Sequence, residues 1–301
     1  MAIAPRLLLD VAYGPYAGKG NGERSLMMSI LKRLKRRNLL FMVDAGLYSF
    51  AMMSCTEQQE CAFLLKVSGH PSLPVLKRLG DGSYLCEMSK RVIDPERSPL
   101  TRNRLKSQTL KGRVIPYQIP GFRPARLVTN ILELCISAKE LALHYHKRWD
   151  IELCFDEIKT HQCATLRGQM PTLFRSKRPE LVEQELYGML ISYNLIRELM
   201  LDAANNHLRD AVLLSFLDCL QLIIDAVPQM SQPHSSNTML QQHRYLRSMM
   251  AQSRIDRPRR PRVNPRVVKI KMSKFKRKTS QHKTQIRVLE KELEIIPPKV
   301  A

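Results

Sequence analysis

The order of its apolar runs constrains this chain more than any other feature. "RLLLDV" (Arg6 to Val11), "LLFMVD" (Leu39 to Asp44) and "CAFLLKVS" (Cys61 to Ser68) are short, apolar and bounded by turn residues or charge. Runs of that length and flanking read as buried strands rather than helices. Between the first two, "NGERSLMMSILKRLKRRN" puts Leu26, Ile30, Leu31 and Leu34 at helical spacing and ends in a basic turn, which suits the negative end of a helix dipole. Between the second and third, Gly46 allows a tight turn and "YSFAMMSCTEQQE" reads as a helix. From His70 to about Arg126 the texture changes. Short β-like runs, "SYLCEMS" and "RVIPYQI", lie among Pro, Gly and charge, with "DPERSPLTRNRLKSQTLKGR" read as an exposed loop. "ARLVTNIL" is one more strand. "SAKELALHYHKRWDIELCFDEIKTHQ" then begins with Ser137 and Glu140 at capping-box spacing and reads as one long helix. Further helices are expected from Leu181 to Asn205 and from Arg209 to Val227, and a short amphipathic one at "QIRVLEKELEII". Strand, helix, strand, helix, strand, β-rich insertion, strand and long helices imply a mixed α/β fold.

Charge narrows the partner. Of a formal net charge of +22, more than half comes from Arg254 to Lys283, where thirteen Lys or Arg face one acid, Asp256. A block this basic repels itself unless a polyanion neutralises it, and nucleic acid is the first candidate. A membrane surface is a poorer match, because the segment lacks a strong amphipathic face. No apolar stretch approaches the ~18–20 residues that span a bilayer, and "MAIAPRLLLD" lacks a signal-peptide pattern. The seven cysteines are scattered, with no zinc spacing, and read as reduced thiols. The expectation is a cytoplasmic, nucleoid-associated protein with no membrane partner. "GPYAGKGNGER" lacks the spacing of a phosphate loop and reads as an ordinary loop; His161 with Cys154 and Cys163 matches no common zinc site.

The long helix carries the chemistry. At ~100° per residue, Tyr145, Arg148, Glu152 and Lys159 fall within one ~60° sector of an ideal helix. An aromatic, two cations and a carboxylate on one face suit a phosphodiester: the carboxylate can hold Mg²⁺ and the cations can pair with phosphates. The same four residues also suit a plain surface face with an Arg148–Glu152 pair four residues apart.

The spacing Y-x2-R-x3-E-x6-K, met by Tyr145, Arg148, Glu152 and Lys159, resembles the signature of the insertion-sequence DDE transposases of the YREK type (the IS-four family). "VDAGLYS" resembles the family's strand with the second catalytic Asp, here Asp44. "RLVTNILE" resembles the strand before the signature, and "RPELVEQELYGMLISYNLIRELM" the helix after it. The resemblance covers about Leu7 to Lys278. It implies a ribonuclease-H-like (retroviral-integrase-like) α/β core with a β-rich insertion and C-terminal helices. On that basis residues 1–69 are a partial core and 70–126 the insertion. Residues 127–230 are a core strand, the signature helix and the helices after it, and 231–301 a basic tail. It also implies two-metal Mg²⁺-dependent phosphoryl transfer. Asp44 and Glu152 would be catalytic metal ligands. Tyr145, Arg148 and Lys159 would grip phosphate, and Trp149, the single tryptophan, would either stack on an unpaired base or pack in the core. Arg259, Arg260, Arg262, Arg266, Lys269 and Lys271 of the tail would contact DNA. Partners would be double-stranded DNA, as transposon ends and target, and a second copy of the chain.

Two departures qualify this. Only one strand, "RLLLD", precedes the helix leading to Asp44, so the fold's first strand and its Asp are expected to lie upstream of Met1. Asp10 sits on the wrong strand to replace that Asp. Ala45 stands where many relatives have Arg. Without a third carboxylate, two hard cations ~3.5–4 Å apart lack the negative charge that offsets their repulsion. The expectation is therefore a transposase impaired by N-terminal truncation, or an inactive DNA-binding fragment that regulates full-length transposase.

Overall fold

The computed structural model describes residues 1–3, 5–15, 18, 22–69, 71–93, 105–120, 122–162, 174–232, 235–255, 262–263 and 287–298. The chain divides into two compact units. One, the sheet unit, comprises Ala12–His146 and Arg260–Ala301; the other, the helical unit, comprises Met1–Val11 and Lys147–Arg259.

The sheet unit begins with α1 (Glu23–Arg33), β1 (Leu40–Val43), α2 (Phe50–Gln58) and β2 (Ala62–Lys66). β1 and β2 are parallel, in the register Val43↔Leu65, with α2 as the crossover between them. The sheet continues through β3 (Lys77–Arg78), β4 (Tyr84–Ile93), β5 (Leu105–Gln118) and β6 (Ala125–Thr129) in the spatial order β1-β2-β6-β5-β4-β3, antiparallel beyond β2. The β-rich stretch thus supplies strands to the same sheet as β1 and β2. Much of the loop expected before Arg113 is strand: β5 starts at Leu105, where Leu110 and Val114 point to one covered face and β4 satisfies the backbone. Residues 94–104 lie outside the described residues.

Both faces of this sheet are covered, and its strands are apolar on both sides accordingly. Phe63, Leu65, Cys86, Met88, Val114 and Val128 face one way and pack with Leu31 of α1 and Met52 and Met53 of α2. Leu64, Ile115 and Leu127 face the other way and pack with Leu141, Ala142 and Tyr145 of α3 (Ala138–His146). Gly112 sits close against this packing. A Cβ there would lie 2.9 Å from Met88 Cε and 3.1 Å from Val128 Cγ2. Near the end of the chain, β7 (Arg262–Val263) and β8 (Arg287–Val288) pair with each other as a separate antiparallel ribbon. The residues after β8 close the α3 face. The helix expected at "QIRVLEKELEII" is one turn, Leu289–Glu292, after which β9 (Glu294–Ile295) pairs with β5, and Leu293 is buried. The shortening follows from the pairing: Glu294 and Ile295 bond to β5 as a strand, so the helix ends before them.

Fully buried Arg113 ties three parts of this unit together. Its Nε donates to Ser83 Oγ (2.9 Å), its Nη1 to the carbonyls of Glu133 (2.7 Å) and Ile136 (3.0 Å), and its Nη2 to Asp81. Asp81 also accepts from the Ala138 N–H at the start of α3 (2.6 Å). The expected capping box is present: Ser137 Oγ accepts from the Glu140 N–H (3.2 Å) while Glu140 accepts from the Ser137 N–H (2.8 Å).

The helical unit is built from α4 (Asp150–Asp156), α5 (Pro179–Asn206), α6 (Phe216–Met230) and α7 (Ser236–Gln252). Its core joins Cys154, Ile158, Tyr193, Met200, Phe216 and Met250. The helix expected from Arg209 starts later, because Ser215 caps it by accepting from the Asp218 N–H (3.4 Å). α7 occupies residues assigned from sequence to the basic tail. Ser235 caps it, and Leu246 and Met250 bury its inner face.

"RLLLDV" is not a strand. The amide of Asn194 on α5 takes both backbone groups of Leu8, accepting from its N–H and donating to its carbonyl at 2.9 Å each. The segment's hydrogen bonds therefore go to a side chain instead of a neighbouring strand. Among the described residues the first strand is β1.

Candidate functional site

Asp44 directly follows β1. It is exposed and N-caps the short 3₁₀ turn Ala45–Leu47, its Oδ1 accepting from the Ala45 N–H (2.7 Å). Tyr145 is in the same unit but not at its surface. It is 5% exposed, and its hydroxyl donates to the Val43 carbonyl (3.3 Å), one residue before Asp44. Tyr145 thereby ties α3 to the end of β1.

The single helix expected from Ser137 to Gln162 is interrupted. After α3, Lys147–Trp149 is a 3₁₀ turn, α4 follows, and Glu157–Gln162 is a π turn. A 3₁₀ turn advances about 120° per residue and a π turn less than an α turn. The sector drawn for the four signature residues therefore crosses a break at Lys147–Trp149, with Tyr145 on one side and Glu152 and Lys159 on the other. Nothing in the local sequence announces this, since the run lacks Gly and Pro.

Within the helical unit the other three signature residues and their neighbours sort cleanly. Glu152 and Lys159 are exposed, Arg148 is half-buried and Trp149 is 46% exposed. Core packing of Trp149 is thereby set aside. Lys159 Nζ lies 5.1 Å from the centre of the exposed Phe155 ring, a cation–π distance. Asp150, Cys154, Glu157 and Ile158 of the same turns are buried. They follow the i, i+4, i+7, i+8 pattern of an inward helix stripe.

Sequence reasoning missed what holds that inward stripe. Glu157 is gripped by Arg6 Nη1 (2.6 Å), by the Tyr193 hydroxyl (2.9 Å) and by Arg197 Nε (3.1 Å), and Arg6 Nη2 also lies 3.6 Å from Asp150. Arg197 stacks over Tyr193 and Phe216. Two cations and two carboxylates, all nearly inaccessible, form a neutral cluster. Burial pushes the Arg6 guanidinium below its usual pKa, against the pull of Glu157. Burial also disfavours charge on Arg197, but Glu157 and the Tyr193 hydroxyl outweigh it and raise its pKa. Burial pushes the Tyr193 phenol up, so it stays protonated and donates. Arg6 adopts φ 55°, a conformation uncommon outside glycine, which persists where surrounding contacts over-determine it.

Asp44 and Glu152 are hard oxygen donors exposed to solvent, the right chemistry for a divalent cation. Among the described residues no group of three His, Cys, Asp or Glu side chains could hold a metal ion. Asp10 is exposed, in the helical unit, and accepts from its neighbour's N–H at Val11 (2.7 Å). His161 lies 3.6 Å from Asp156, and Cys163 lies outside the described residues. Of the tail residues, Arg259, Arg260, Arg266, Lys269 and Lys271 also lie outside them. Arg262 is in β7, paired with β8. The buried thiols of Cys86 and Cys219 are pushed up to about 11 and about 12, which keeps them unreactive. Among the described residues no helix is long and apolar enough to cross a membrane.

A family model described as the transposase DDE domain matches residues 7–195. The transposase InsG for insertion sequence element IS4 of Escherichia coli (strain K12) is 28% identical over 213 residues, covering 68% of this chain and 44% of that protein. The chain thus spans less than half the length of that relative.

Proposed function

Because the chain belongs to the DDE transposase family, we propose that it acts on double-stranded DNA, the ends of an insertion sequence and its target, by metal-dependent phosphoryl transfer. The observation that carries this reading is the sorting around α4, where Arg148, Trp149, Glu152 and Lys159 keep access to solvent while their neighbours are fixed in a buried ion cluster. The parallel β1–β2 pair, bridged by α2 and extended by antiparallel strands, supports a ribonuclease-H-like core. Asp44, at the end of β1, and Glu152, on the outer face of α4, are the proposed ligands of Mg²⁺. Bound there, the ion would supply Lewis-acid polarisation of a phosphate and a more acidic water. Arg148 and Lys159 would pair with phosphate oxygens. Trp149 offers its face to an unpaired base, and Tyr145 holds the strand end that carries Asp44. Two copies would act together on paired ends, in the nucleoid.

Glu152→Gln keeps the size of the side chain and removes its charge. It should abolish Mg²⁺-dependent nicking of DNA carrying the element's ends while leaving DNA binding in EDTA intact. Cleavage at the wild-type rate would mean that the metal ligands lie elsewhere.

A second reading is favoured by one observation, the lack of a three-carboxylate group among the described residues. On that reading the chain binds DNA without cutting it and regulates a complete transposase. Retained DNA binding, no nicking by the wild-type chain, and inhibition when it is mixed with an active relative would select it.

A further inference from the structure

The sheet unit contains a cleft of 260 Å³ that includes neither Asp44 nor Tyr145 in its lining. Its walls are α1 and α2 and its floor the β4–β5 ladder, at Lys90 and its cross-strand partner Gln108. Met28 and Phe50 give it an apolar side, Gln58 and Gln108 bring amides, and Lys32 and Lys90 are its cations. Among the described residues no acid lines it. The floor is set by Gln108 Nε2, which donates to Ser54 Oγ at 2.6 Å.

We propose that this cleft is a nucleotide-binding subsite, taking one nucleotide of a DNA strand, with its phosphate at Lys32 and Lys90 and its base against Phe50 and Met28. The inference deepens the DNA-binding reading above and rests on it. Three features point to a nucleic acid. The lining pairs two cations with an aromatic side and amide edges, which matches a phosphate joined to a flat, hydrogen-bonding base. At 260 Å³ the cleft is smaller than the ~300–1,000 Å³ that enclose a whole small molecule, so it suits one unit of a polymer whose remainder lies outside. The exposed basic run also continues from Lys32 through Arg33, Lys35, Arg36 and Arg37 at the end of α1. A helix C-terminus carries about −0.5 charge. The five cations of the run outnumber that charge, Glu60 pairs with Arg37 (2.9 Å), and a strand's backbone would offset the mutual repulsion of so basic a run.

The test is the salt dependence of DNA binding by the full chain. Lys32→Ala/Lys90→Ala is compared with Lys77→Ala/Lys139→Ala, which removes the same exposed charge elsewhere in the sheet unit. If both cleft lysines meet phosphate, the log–log slope should flatten by about 1.8 on duplex or about 1.4 on single-stranded DNA, with little change in the control pair. Ultraviolet crosslinking of 5-iodouracil-substituted DNA should label the α2 peptide that contains Phe50. Equal slopes for the cleft pair and wild type, or equal losses in both double variants, would overturn the subsite while leaving DNA binding standing. So would a loss confined to polyglutamate binding, which would make the occupant an acidic peptide. Failure of the wild-type chain to bind DNA at all would sink the DNA-binding reading itself.

Discussion

Single residues decide how firmly the signature region is held. Glu157 sits between two guanidiniums and a phenol, and removing one member leaves buried charge uncompensated, at a cost of roughly 3–5 kcal/mol. Arg6→Met should therefore lower the urea stability of the helical unit by about 3 kcal/mol, and Arg6→Lys should recover part of it. A loss within a few tenths would show the cluster to be energetically idle. Asp81 gives a pH-dependent prediction. Its burial works to raise its pKa, but bonds from Ser83, the Ala138 N–H and Arg113 prevail and hold it below the usual carboxylate value. Its contribution is fully present above the unfolded-state pKa and is lost as pH falls through the lower folded-state value. Asp81→Asn should thus destabilise the sheet unit at neutral pH and flatten the acid limb of its stability curve. A parallel shift at every pH would contradict this. Little of this was legible in the sequence, because Arg6 and Glu157 are partners 151 positions apart and no local pattern links them. Ser137 and Glu140 were legible because their interaction spans three residues.

Elements were readable where one periodicity ran through them. β1, β2, β6, α1, α2 and α5 fall close to their expected places because their apolar spacing and their burial agree. The errors arose where tertiary demands intervened. Arg6–Val11 looked like a strand but found its backbone partner in the Asn194 side chain, and the signature helix changes pitch twice without a Gly or Pro to mark it. α7 was concealed by the basic sequence that follows it. Gly112 is a strand position with little room for a side chain. Gly112→Val would press methyl groups on Met88 and Val128 and should cost roughly 1–3 kcal/mol, the usual range for an overfilled core. Thermal unfolding would report it, and an unchanged midpoint would mean that the strands can spread.

For the molecule as a whole, charge was the most legible property and the two-unit division the least. The net +22 predicts DNA binding that weakens steeply with salt. Replacing Arg259, Arg260, Arg266, Lys269 and Lys271 by alanine should flatten the log–log slope by about 0.9 for each phosphate that those side chains neutralise; an unaltered slope would remove the tail from the interface. Each unit joins segments far apart in sequence: Met1–Val11 belongs with Lys147–Arg259 in the helical unit, and β9 pairs with β5 in the sheet unit. That arrangement dictates a timetable during synthesis. At ~5–20 residues per second, Arg6 is made roughly 10–40 s before Arg197 exists to share Glu157 with it. The β5 edge at Tyr117 and Gln118 stays open until Glu294 and Ile295 have been made. A nascent chain of this kind carries the Arg6 segment without its partners until the stretch from Glu157 to Arg197 has emerged, and the sheet without β9 for longer still.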